Sequence, residues 1–179
     1  MQKTKKQINA IAKNIKLLIL DVDGVLTDGS IILDNKGNEI KAFNVRDGHG
    51  IKLLQRHGVI VAVITGRESK VVEVRAKELG INEVYQKYHR KAEALEALLR
   101  KTGFSAKETA CVGDDIVDIP IFRRIALPIA VADAVEEAKS AALLITKNPG
   151  GKGAVREVCE LILMAKGVWK GIVDEYNKV

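Results

Sequence analysis

Short apolar runs recur along the chain at Leu17 to Leu20, Val59 to Ile64, Glu83 to Tyr85, Thr109 to Val112, Ile129 to Val131 and Leu143 to Ile145. Their length suits strands rather than helices. Between the later runs, residues 68–79, 91–102, 115–124, 134–140 and 153–166 repeat with a helical period. Near the start, Ile8, Ile11 and Ile15 recur at three- to four-residue spacing, as on an amphipathic helix. Strand and helix in alternation imply right-handed crossovers and a parallel sheet covered on both faces. The expected fold class is therefore α/β, a doubly wound parallel sheet.

One segment breaks the alternation. Within residues 29–45, SIILD and EIKAFNV flank Asn35-Lys36-Gly37-Asn38, and a Gly-containing turn between two β-rich stretches predicts a β-hairpin. This hairpin has Ile31, Leu33, Ile40, Ala42 and Val45 to cover and no third strand nearby. An isolated two-stranded ribbon is marginal in water. We therefore expect the hairpin to pair with copies of itself in a homo-oligomer.

A length of 179 residues fits one domain, 1–179, large enough to bury a full core. No tandem repeat or Pro/Ser-rich linker divides it. The net charge of +6 would favour polyanions, yet only 4% of residues are aromatic, which argues against a base-stacking surface and so against nucleic-acid binding. Lys3, Lys5, Lys6, Lys13 and Lys16 read instead as the solvated face of the first helix. No apolar run approaches the length of a membrane span and no cleavable leader is visible, so the expected location is the cytoplasm, with no membrane partner. Cys111 and Cys159 fall in apolar surroundings and are expected to pack as free thiols rather than to pair or bind metal.

Three strands run into polar residues in the same way. LLIL leads into Asp21, VAVI into Thr65-Gly66-Arg67, and ACV into Gly113-Asp114-Asp115. In an open parallel sheet these carboxyl ends share one edge, where ligands bind. Asp21 and Asp23, two apart in extended chain, face one point, and Gly24 frees the backbone to turn after them. Desolvated carboxylates need a positive partner. Oxygen ligands without His or Cys suit a hard cation, which makes Asp21, Asp23 and Asp114 candidates to hold Mg²⁺. Such a site supports phosphoryl transfer: one aspartate attacks phosphorus, while Asp23 can protonate the leaving oxygen and then activate water. The Thr65 hydroxyl can hold phosphoryl oxygens, or alternatively cap the helix near residue 68. Of two lysines near this edge, Lys91 opens a helix and is favoured over Lys87 in the preceding loop. Asp115 and Asp118 read equally as caps or as outer partners of the metal.

The order DVDGVLTDG, TGR, a lysine and GDDIVD resembles the haloacid dehalogenase superfamily of phosphotransferases. FNVRDGHGI, GDDIVDIP and GGKGAVREVCELIL are further similar to its 3-deoxy-D-manno-octulosonate 8-phosphate phosphatases, and the likeness runs from about Lys16 to Lys166. The resemblance implies Asp21 as nucleophile and Asp23 as acid and base. It also implies Mg²⁺ on Asp21, the Asp23 carbonyl and Asp114, with phosphate held by Thr65 and Lys91. It further implies a Rossmann-like core without a cap domain, a homotetramer built through the hairpins, and a place in lipopolysaccharide synthesis. The intervals from Leu20 to Gly66 and from Thr65 to Lys91 leave no room for a lid once a hairpin and one helix are placed. Arg46, Gly66, Arg67 and Arg156 are candidates to meet the sugar-acid carboxylate or phosphate. Tyr85-Gln86-Lys87 has a lysine where a small residue is expected, and Gly167 to Val179 has no clear counterpart. Rival readings are a phosphatase for another sugar acid, such as a sialic-acid-type 9-phosphate, and a phospho-acceptor receiver domain.

Overall fold

The computed structural model describes residues 4–178, so Lys3 of the basic N-terminal set lies outside them. Helix α1 (Lys5–Ala12) is closed by a Thr4–Gln7 capping box and leads into β1 (Leu17–Leu20). The hairpin strands β2 (Ile32–Leu33) and β3 (Glu39–Ile40) follow, then α2 (Val45–Arg56) and β4 (Ile60–Ile64). Next come α3 (Lys70–Leu79), β5 (Glu83–Tyr85), α4 (Lys91–Thr102) and β6 (Thr109–Gly113). The chain finishes with α5 (Ile119–Phe122), β7 (Leu127–Ala130), α6 (Glu136–Ala141), β8 (Leu144–Ile145), α7 (Ala154–Ala165) and α8 (Trp169–Tyr176).

Six strands form one sheet in the order β5-β4-β1-β6-β7-β8, and every pair is parallel. All four residues of β1 are buried, as its unbroken apolar run requires when helices cover both faces. Helices α1, α2, α3 and α7 pack as one group and α4, α5 and α6 as another. Strand order reverses between β1 and β6, so the crevice beyond their carboxyl ends is the place where open α/β sheets bind ligands. Leu20 pairs in register with both Val63 and Val112, which brings Asp21 to within a position of Thr65 and Asp114.

Two sequence expectations are corrected. The helix expected over 115–124 is divided into a 3₁₀ turn (Ile116–Asp118) and the short α5, because Pro120 has no N–H to donate and fits only a first helical turn. Strand β7 begins at Leu127, ahead of the expected Ile129, and carries Pro128 within it. A helix not foreseen, α8, places Ile172 in the core.

The hairpin stands outside the main sheet as a two-stranded ribbon, with Ile32 opposite Ile40 and Leu33 opposite Glu39. Asp34 organises its turn, since Oδ1 accepts from the N–H groups of Lys36 and Asn38, each at 2.8 Å. Its apolar residues remain in solvent: Ile31 is 66% exposed, Leu33 59%, Ile40 51% and the neighbouring Val45 79%. Among the described residues no helix is long and apolar enough to cross a membrane. Cys111 and Cys159 are buried and free, as expected.

Candidate active site

Asp21 directly follows β1 and is buried. The next turn is tight: Gly24 has φ +82°, and a Cβ there would collide with the Asp114 carboxylate. Asp114 follows β6, and Thr65, also buried, follows β4. The alternative cap role of Thr65 is not what its hydroxyl does, since Ser69 is the residue that precedes α3 and Thr65 Oγ1 accepts from the Arg67 N–H at 3.4 Å.

Lys91 opens α4 and its side chain is 2% exposed. Its ammonium donates to Asp21 Oδ2 at 2.5 Å and to Asp118 Oδ1 at 2.7 Å. Burial alone would lower the Lys91 pKa, but the two carboxylates outweigh it and raise it above the ordinary lysine value. Lys87, in contrast, is 65% exposed and pairs with Glu68. Of the two lysines, only Lys91 reaches Asp21.

Asp118 has a larger part than a cap. Besides receiving Lys91, its Oδ2 accepts from the N–H groups of Asp114 at 3.0 Å and Asp115 at 3.3 Å, which ties the 3₁₀ turn to the site. Asp115 caps that turn, with Oδ1 accepting from the Ile116 N–H. Carboxylate oxygens of Asp21, Asp114 and Asp118 lie within 4.8 Å of one another. Burial raises the Asp21 carboxyl to about 6 against the pull of Lys91. Burial and the neighbouring Asp21 and Asp118 raise Asp114 to about 7. Three carboxylates facing one ammonium leave an excess of negative charge, and a divalent cation fits it.

Asp23 points elsewhere. Its Oδ1 pairs closely with Lys41 and its Oδ2 lies 3.6 Å from Arg67 Nη1. Asp21, Asp23, Thr65, Gly66, Arg67, Lys91 and Asp114 nevertheless line one cleft of about 420 Å³, joined by Tyr88 and His89. Neither of those two had a sequence signal beyond its proximity to Lys91. Arg46 and Arg156 are not in it. They line a separate pocket of about 340 Å³, where the Arg156 Nε donates to Glu160 at 2.6 Å and its guanidinium covers the Trp169 ring at 5.4 Å. Within one chain, α7 thus keeps Arg156 for packing against α8.

The lysine at position 87, where a small residue was expected, has φ 62°, a left-handed conformation that glycine adopts more readily. Its N–H donates to the Arg67 carbonyl at 3.3 Å and that of Tyr88 to the Thr65 carbonyl at 3.1 Å, so this loop braces the TGR turn. From the far end of the chain, Gly150 and Gly151 press against the backbone of Gly24, Thr27 and Asp28 so closely that a Cβ on either would overlap main-chain atoms.

Residues 69–158 match the family of haloacid dehalogenase-like hydrolases. The chain is 49% identical over 160 residues to the 3-deoxy-D-manno-octulosonate 8-phosphate phosphatase KdsC of Escherichia coli (strain B / BL21-DE3), covering 89% of this chain and 85% of that one. KdsC of Yersinia pestis is 47% identical over 89% of this chain and 86% of its own. Among solved structures, the phosphatase of that name from Moraxella catarrhalis, in complex with magnesium, phosphate and KDO, superposes with a TM-score of 0.93 at 43% identity, covering 96% of this chain and 98% of the other. With this extent of likeness and the acidic cluster at the end of β1, the chain belongs to the haloacid dehalogenase superfamily, in its family of 3-deoxy-D-manno-octulosonate 8-phosphate phosphatases.

Proposed function

We propose that this protein hydrolyses 3-deoxy-D-manno-octulosonate 8-phosphate to the free sugar acid and phosphate, with Mg²⁺ as cofactor, and that the whole chain, 1–179, acts as one catalytic unit. The observation that carries the reading is the convergence of Asp21, Asp114, Asp118 and Lys91 at the switch point of the sheet. The relatives bearing that name and the Mg²⁺, phosphate and KDO complex of the Moraxella protein support it.

Asp21 and Asp114, with the Asp23 main-chain carbonyl, would hold the ion, and Asp118 would stand behind them. Bound there, Mg²⁺ would cancel the charge that otherwise keeps a carboxylate away from a phosphate dianion. An Asp21 carboxylate oxygen attacks phosphorus and the bond from phosphorus to the sugar oxygen breaks, leaving an aspartyl-phosphate. Asp23 gives its proton to the departing oxygen. In the second half Asp23 takes a proton from water as that water attacks phosphorus, which frees phosphate and restores Asp21. Lys91 and the Thr65 hydroxyl hold the transferred oxygens, and Gly66 and Arg67 at the cleft rim meet the substrate.

We further infer that the exposed apolar side of the hairpin joins copies of the chain, as a homotetramer, and that the enzyme works in the cytoplasm. A ribbon that leaves Ile31, Leu33 and Ile40 in solvent supports assembly.

Phosphate release from a panel of sugar-acid phosphates, with and without a chelator, tests the reading. The octulosonate 8-phosphate is expected to be turned over fastest and only with Mg²⁺. A sialic-acid-type 9-phosphate turned over far faster would overturn the substrate, and a single phosphorylation event without continuous release would overturn the activity.

A further inference from the structure

Asp23 must aim a carboxyl at the leaving oxygen, yet it lies on a turn and is partly exposed. What holds it comes from the hairpin. Lys41 follows β3, and its side chain is 2% exposed. Its ammonium pairs closely with Asp23 Oδ1 and lies 3.2 Å from Glu39 Oε1. Arg67, from the loop after β4, approaches the other oxygen, Asp23 Oδ2, at 3.6 Å and donates to the same Glu39 Oε1 at 2.8 Å. Glu39 is itself anchored, because Oε2 accepts from the Ser69 hydroxyl just before α3. Asp23, Lys41, Glu39 and Arg67 thus close a ring of alternating charge.

The two cations are not equivalent. Arg67 is 44% exposed, and an ion pair in water is worth little and tolerates several geometries. An ammonium stripped of water is stable only while its partners stay in place, so Lys41 tolerates few. Asp23 and Arg67 line the catalytic cleft, whereas Lys41 and Glu39 do not, so Lys41 acts on the reaction either directly through Asp23 or, by way of Glu39, through Arg67.

We propose that Lys41 is a positioning residue that fixes the Asp23 carboxyl for proton transfer to the leaving group, which makes the hairpin part of the catalytic apparatus. The proposal rests on the reading of Asp23 as acid and base given above. It separates from a merely structural role through the leaving group. An alkyl phosphate needs a proton delivered to its departing oxygen, whereas 4-nitrophenyl phosphate releases a stable phenolate without one. Because kcat/KM covers only the steps through departure of that group, later hydrolysis of the aspartyl-phosphate does not enter the comparison.

The test measures kcat/KM of the full chain with Mg²⁺ on glycerol 1-phosphate, an alkyl phosphate without the sugar acid's carboxylate, and on 4-nitrophenyl phosphate for the parent, Lys41→Met, Lys41→Arg, Asp23→Asn and Asp21→Asn. Lys41→Met is expected to lose about tenfold more on the alkyl than on the aryl substrate, the scale of a misplaced catalytic group, and Lys41→Arg to recover part of that gap. Glu39→Gln removes the anchor while leaving the Lys41 pair with Asp23. It is expected to give the same bias by a smaller factor, which keeps the test decisive if Lys41→Met does not fold. Equal losses on both substrates in folded variants, or no loss, overturn the proposal. If Asp23→Asn itself lacks the bias, the role of Asp23 fails and this inference with it. If Asp21→Asn stays active, the error lies in the proposed function.

Discussion

Lys91 and Asp118, 27 positions apart, meet at 2.7 Å in the interior, and the same ammonium reaches Asp21 at 2.5 Å. Lys91 is therefore the fixed point from which two acidic residues are held, one at the end of β1 and one in the 3₁₀ turn after β6. Removing a partner from a buried ion group strands the rest, at about 3 kcal/mol or more. Lys91→Ala is expected to melt well below the parent and to lose about 10²-fold in turnover. Lys87→Ala, acting in solvent, is expected to leave both nearly unchanged. Thermal melts and phosphate release on the two variants check this, and the opposite order would exchange their roles.

Asp21→Asn is expected to abolish nearly all phosphate release, because an amide does not attack phosphorus, while preserving the fold. More than about a tenth of the parent rate in a purified variant would reject Asp21 as nucleophile.

The acidic cluster also ties stability to pH. In the metal-free protein Asp21 titrates near 6 and Asp114 near 7, both raised first by burial. The folded chain then keeps protons that the unfolded chain has released, so its stability falls as pH rises from the ordinary carboxylate range through these values. Mg²⁺ binds the ionised form and relieves the loss. Melting curves are expected to show a larger Mg²⁺-induced rise at about pH 8 than at about pH 5, and equal rises would contradict the cluster as the metal site.

Lys87→Gly is expected to raise stability by about 1 kcal/mol, since it removes a left-handed strain while retaining the N–H that bonds to Arg67. Chemical denaturation measures it, and a loss would show that the exposed pair with Glu68 matters more than the backbone.

A charge on the ribbon tests assembly. Leu33→Glu, at a side chain 59% exposed in the single chain, is expected to leave the monomer folded and to abolish association in light scattering. Unchanged mass would assign the interface elsewhere.

Much of this was legible from local pattern. β1 matches its apolar run residue for residue because a strand covered on both faces has no polar position to blur its ends. Asp21, Thr65 and Asp114 were legible because a parallel sheet sends its strand ends to one edge. Pro128 hid the start of β7, since a residue without an N–H argues against a strand. Helix α8 did leave a signal, in Trp169, Ile172, Val173 and Tyr176 at helical spacing. The partners of ions left none. That Asp118 receives Lys91, or that Lys41 pairs with Asp23, depends on distant segments meeting, and no spacing along the chain encodes it. The arginines divide for the same reason: Arg67 lines the cleft while Arg46 and Arg156 line a separate pocket, and a guanidinium in the sequence carries no address.

The seam between Gly150 and Gly151 and the turn from Gly24 to Asp28 joins segments more than 120 positions apart, main chain to main chain. Alanine at Gly150 would meet the Gly24 carbonyl, and at Gly151 the peptide between Thr27 and Asp28, with no side chain to push aside at either. A lesion in the loop before α7 would thus be felt at Asp21 and Asp23, and disable them without touching any group that meets the substrate.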